Sequence, residues 1–99
     1  MLNIESGKKY IVRCTDAGVF YGEIADVDGS TVHMKNVRKL WYWEGANTVE
    51  NLAVDGTRRP EQCKFTVVVA DMVVFKANQI IPCTEKAEKS IDGVEEWIR

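Results

Sequence analysis

The chain has 99 residues, of which 45% are hydrophobic and 28% charged, with 13 basic against 15 acidic side chains and a net charge of −2. This length supports one domain spanning residues 1–99 with a real core, and the composition excludes a disordered or fibrous chain. The near balance of charge leaves no strong field for a polyanion, so charge alone does not point to nucleic acid.

No stretch reaches the roughly 18 apolar residues of a membrane span, and the opening MLNIESGKKYIV carries no long apolar run after its positive charges. A cytoplasmic protein without membrane contact is the expectation. Cys14, Cys63 and Cys83 are an odd number of widely spaced cysteines, which fits reduced thiols better than a disulfide framework. A zinc site would require all three to converge on His33, so neither metal nor cofactor is expected.

Taken in order, residues 10–14 (YIVRC) form a first strand with Tyr10, Val12 and Cys14 on one face. Asp16-Ala17-Gly18 then marks a turn into a second strand over 19–27, where Phe20, Gly22 and Ile24 share a face. The mid-strand Gly22 predicts a bulge or bend where another backbone comes close. Asp28-Gly29 makes a tight hairpin turn into 31–35, with Val32 and Met34 inward and His33 and Lys35 toward solvent. After Asn36 the chain resumes as VRKLWYW, a strand that Gly45 ends.

Asn47-Thr48 can cap a short helix over 49–54, closed by Gly56, and Pro60 keeps TRRPEQC out of any central strand. The β-branched run 65–75 predicts one strand, or two broken at Ala70-Asp71. A short strand at 78–81 is stopped by Pro82, and Thr84 caps a helix through about Ile91 with Ala87 and Ile91 inward. Trp97 and Ile98 are too apolar to be left free and should dock on the domain or on a neighbour. The expected fold is mainly β with minor α: a strongly bent antiparallel sheet, or a partly open barrel whose first half looks SH3-like or Sm-like, with a short helical insertion and a C-terminal helix.

The block Leu40 to Ala46, LWYWEGA, holds Trp41, Tyr42 and Trp43 in succession. As a strand it sends Trp41 and Trp43 to one face and Leu40 and Tyr42 to the other. Two adjacent Trp side chains offer a large amphipathic surface of the kind used in binding, and one of them is expected in the core with the other on a rim near Arg58 and Arg59. Lys35, Arg38, Lys39, Arg58, Arg59 and Lys64 gather around this strand and the loop after its helix. The candidate ligand- or partner-binding residues are therefore Arg38, Lys39, Trp41, Tyr42, Trp43, Arg58, Arg59 and Lys64, with guanidinium groups beside aromatic faces.

Catalysis finds little support. The only histidine lies on a solvent-facing hairpin position, carboxylates fall at turns where Asp serves the backbone, and no Walker loop, Rossmann fingerprint or HExxH occurs. No catalytic residue is expected.

The strings VRCTDAGVFYGEI, NVRKLWYWEGA, LAVDGTRRPEQCKF and IIPCTEKAEKSI resemble a family of small, mostly uncharacterised proteins of tailed bacteriophages and prophages. The LWYW-acidic-GA and P-x-x-CKF blocks are the specific parts, and the resemblance covers nearly the whole chain. It implies a phage accessory protein at work in a bacterial cytoplasm, binding and neutralising a host protein or a nucleotide signal, with homo-oligomerisation allowed. The alternatives are a module that binds single-stranded nucleic acid and a virion or assembly component.

Overall fold

The computed structural model describes residues 3–98. A three-stranded meander, β1 (Tyr10–Cys14), β2 (Gly18–Asp28) and β3 (Thr31–Tyr42), is followed by helix α1 (Val49–Asp55). A 3-10 turn (Pro60–Gln62), the short β4 (Lys64–Phe65), β5 (Val69–Val74), β6 (Ala77–Pro82) and helix α2 (Glu85–Asp92) complete the chain. The strands form one antiparallel sheet in the order β4-β3-β2-β1-β6, with β5 also paired to β3.

The sheet bends because β3 serves two partners along one edge. Its first half pairs with β5, from Val32 opposite Val74 to Val37 opposite Val69, and its last residues pair with β4. Within the β5-paired half, between Lys35 and Val37, Asn36 takes a left-handed φ of 49°. The same place carries the close approach that Gly22 predicts: a side chain there would put its Cβ 2.8 Å from the Cα of Val37, where the β2–β3 register shifts. The turn between β5 and β6 then carries the chain from the outer edge of β3 to the outer edge of β1. The Lys76 carbonyl accepts from Thr15 N–H at 3.0 Å, and Ala77 N–H donates to Ser30 at 2.9 Å. The sheet remains unclosed, since β6 pairs with β1 and β5 with β3.

Both faces of the meander are buried. Inside the bend lie Tyr10, Val12, Cys14, Phe20, Ile24, Val32 and Met34, which follow the predicted alternation, together with Val74 and with Val37, whose place there shows the alternation shifting by one residue at Asn36. On the other face Ile11, Tyr21, Leu40 and Phe65 meet Leu52 and Ala53 of α1 and Ala87 and Ile91 of α2. Each helix begins as the sequence predicts, with Thr48 Oγ1 accepting from Asn51 N–H and Thr84 Oγ1 accepting from Ala87 N–H, both at 3.1 Å. The two helices are tied by Thr84 N–H to the Ala53 carbonyl at 3.0 Å and by Ser90 Oγ, which accepts from Thr57 N–H at 2.9 Å.

One element differs from expectation. The run 65–75 breaks at 66–68, not at Ala70-Asp71. Thr66 leaves the ladder because its Oγ1 accepts from Lys39 N–H at 2.8 Å while its own N–H donates to the Lys39 carbonyl at 3.0 Å. Asp71 stays within β5, where its carboxylate meets His33 at 2.9 Å and Lys35 at 3.4 Å, and these partners hold its pKa below the usual carboxylate range. No helix among the described residues is long and apolar enough to cross a membrane.

Candidate functional site

Strand geometry places Leu40 in the core opposite Phe65, so the next residue must point away from it. Trp41 does so and is 55% exposed. The strand ends at Tyr42, however, and alternation ends with it. Trp43 turns back onto the cluster of Leu40, Leu52 and Phe65, half-buried. The expected pairing of Trp41 with Trp43 on one face is thus corrected: one Trp packs on the core, and the exposed one finds its partner elsewhere.

That partner is Trp97. The two indoles stack with centroids 4.9 Å apart and planes 23° from parallel. Lys64, opposite Tyr42 in the sheet, places its ammonium 5.6 Å from the Trp41 ring, 5.9 Å from Tyr42 and 5.5 Å from Trp97. Tyr42 donates its hydroxyl to Glu44 Oε2 at 2.6 Å, which raises its pKa, and the other Glu44 oxygen lies 3.5 Å from Arg59.

What brings the C-terminal segment here is Arg38. Its side chain is buried and reaches four carbonyls: Nε donates to Thr66 at 3.0 Å, Nη1 to Ile91 at 3.1 Å and Val94 at 3.0 Å, and Nη2 to Phe65 at 3.3 Å. Burial lowers its pKa, while the charges of Glu96 and Asp92 oppose that shift. With α2 anchored in this way, Trp97 N–H donates to the Phe65 carbonyl at 2.8 Å and Glu96 forms a parallel bridge to Phe65. Glu96 Oε2 also accepts from Val68 N–H at 3.1 Å.

The eight sequence-predicted residues therefore separate. Trp41, Tyr42 and Lys64 meet on one exposed surface, and Arg59 joins its edge through Glu44. Arg38 is a structural clamp, buried and with four of its five N–H groups donated to carbonyls. Lys39 extends over the Phe20 ring at 5.9 Å, Trp43 packs on the core, and exposed Arg58 lines a separate polar cleft with Asn51, Asp55 and Lys86. Sequence reasoning assigned no site role to Trp97 or to the neighbouring Glu95, Glu96, Glu61 and Cys63. The available signal was the tail EEWI, an apolar pair next to acidic residues.

The geometry does not assemble a nucleophile with a base among the described residues. His33 is engaged by Asp71 on the β3–β5 edge, and the free thiols of Cys14 and Cys83 are buried, with burial pushing Cys83 up to about 12. The class defined by fold and site is a small, bent-sheet β protein with an exposed aromatic surface. A family model described as a domain of unknown function, DUF6948, matches residues 7–91, and the chain belongs to that family. No curated protein and no solved structure matches the chain.

Proposed function

We propose that the protein is a non-enzymatic binding protein that captures another protein on the surface made by Trp41, Tyr42, Lys64 and Trp97. One observation carries the reading: two stacked indoles stand at the surface, with Trp41 55% and Trp97 36% exposed. Side chains of this kind supply large, rigid contact area at low entropic cost and dominate protein interfaces. Ile98, the residue after Trp97, is also 71% exposed.

A nucleotide is the weaker ligand for the same place. The indoles are already stacked on each other, Glu61, Glu95 and Glu96 line the groove that includes Trp97, and Glu44 meets Tyr42, a setting that disfavours phosphate. The resemblance to phage proteins supports a host partner, and so the reading of a phage accessory factor that blocks a defence component in the bacterial cytoplasm.

The test is affinity recovery from bacterial lysate with wild type and Trp41→Ala side by side. The reading expects a bacterial protein recovered in stoichiometric amount by wild type and lost from a folded Trp41→Ala variant. Equal recovery by both overturns it. Tight, salt-sensitive binding of oligo-dT would move the assignment to a single-strand-binding module.

A further inference from the structure

A groove of about 490 Å³ opens beside the stacked indoles. It is lined by Trp97, Gly93, Pro60 and Cys63 together with Glu61, Glu95 and Glu96. Glu96 gives one oxygen to the Val68 N–H, whereas Glu61 and Glu95 form no ion pair among the described residues. Glu96 shares the field of the buried Arg38, so the groove's negative character among the described residues comes from Glu61 and Glu95.

Trp97, the aromatic residue of the groove, belongs to a set of rings that already attracts a cation on the adjoining surface. Lys64 has its charge within 5.5 to 5.9 Å of three ring centroids, inside the roughly 6 Å over which a ring face attracts a cation. The apolar wall and the acidic border thus favour the same ligand chemistry from two directions. A planar guanidinium suits them better than an ammonium, because it stacks on an indole and bonds carboxylates with its fork of N–H donors.

We propose that this groove receives an arginine side chain from an extended segment of the protein partner, its stem along Trp97 and Cys63 and its guanidinium between the carboxylates of Glu61 and Glu95. This rests on the reading of the aromatic surface as a protein-binding site and specifies the chemistry of that partner. It also accounts for the acidic residues gathered beside an aromatic surface on a chain with little net charge.

The test is an NMR titration of the full chain with the peptide acetyl-Gly-Arg-Gly-amide and its neutral counterpart carrying citrulline. The proposal expects the Trp97 indole N–H and the amides of residues 93–96 to shift with the arginine peptide at about tenfold lower concentration than with the citrulline peptide. The doubly substituted Glu61→Gln, Glu95→Gln chain, altered only at exposed positions, should lose that difference. Equal response to the two peptides, shifts confined to other residues, or preferential binding of oligo-dT here each overturn the proposal. Partner capture separates it from the underlying reading: capture lost with Trp41→Ala but retained by the double Gln variant leaves the aromatic surface standing and removes the arginine site.

Discussion

Trp41, at the end of the longest strand, stacks on Trp97, in the last residues of the chain, with ring centroids 4.9 Å apart. Neither residue has the core to hold it. Each is fixed by its own backbone, Trp41 by the β3 ladder and Trp97 by its hydrogen bond to Phe65, so the pair is presented to solvent as a preformed surface. A rigid surface loses little entropy on binding, which is why its loss should register in affinity before stability.

Trp41→Ala should lower stability by about 1 to 2 kcal/mol, the aromatic pair's own contribution together with the burial of its covered part. Trp43→Ala, which opens space against Leu40 and Leu52, should cost about 3 kcal/mol. In a domain of this size that difference separates the two melting temperatures by several degrees. Thermal melts combined with partner capture decide it. If Trp43→Ala abolishes capture at unchanged melting temperature, the roles assigned to the two residues are reversed.

Arg38→Met should cost about 3 kcal/mol or more, because four carbonyls lose a charged donor while the substituted side chain still fills the space. Arg38→Lys should recover little of it, since one ammonium cannot span carbonyls on β4, the 66–68 link and the end of α2. The stacked indoles depend on this clamp, so Trp fluorescence should also move toward that of solvated indole. A variant with unchanged denaturant midpoint would return Arg38 to the set of candidate binding residues.

Much of the scaffold could be read from local sequence because local chemistry determines it. The two Thr caps, the Asp28-Gly29 turn and the alternation of Tyr10, Val12 and Cys14 each lie within a few residues of the structure they set. The site was legible only in part. Trp41, Tyr42 and Lys64 were visible as an aromatic and basic cluster, but their association with Trp97 depends on an arginine whose partners come from two distant segments, 65–66 and 91–94. An arginine beside aromatic residues reads as a ligand contact in sequence. Only the fold shows its donors consumed by carbonyls. The break at 66–68 was hidden for a similar reason, since it is imposed by Lys39 and not by any breaker within the valine run.

Gly22 and Gly29 allow steric and dihedral costs to be separated. A methyl at Gly22 would meet Val37 backbone at 2.8 Å, whereas Gly29 has a φ of 61° and open space around it. Gly29→Ala should therefore cost about 1 kcal/mol, from backbone conformation alone. Gly22→Ala must separate β2 from β3 at the bend and should cost about 3 kcal/mol, in the upper range for overpacking. Equal urea midpoints for the two variants would show that the strands do not approach as described.

The alkaline limb of stability should be set partly by Tyr21. Its ring is 1% exposed, and its hydroxyl donates to Asp92 Oδ1 at 2.9 Å. Burial first, and the Asp92 bond second, raise the phenol pKa well above its ordinary value, while burial pushes the nearby Cys83 thiol up to about 12. In the unfolded chain these groups ionise near about 10 and about 8.5. Their neutral forms are thus favoured by folding, so the contribution is complete below the unfolded pKa values and is lost as pH rises toward the folded ones. Each group adds a slope of up to about 1.4 kcal/mol per pH unit in that window. Tyr21→Phe should cost about 1 kcal/mol at pH 7, because Asp92 can rehydrate once its donor is gone. The same variant loses the phenol's share of the alkaline slope, so its urea stability should cross that of wild type near about pH 11. Parallel curves from pH 9 to 11 would mean that the phenol ionises as readily in the folded protein as in the unfolded chain, and the Tyr21–Asp92 bond could not then be the closed contact described.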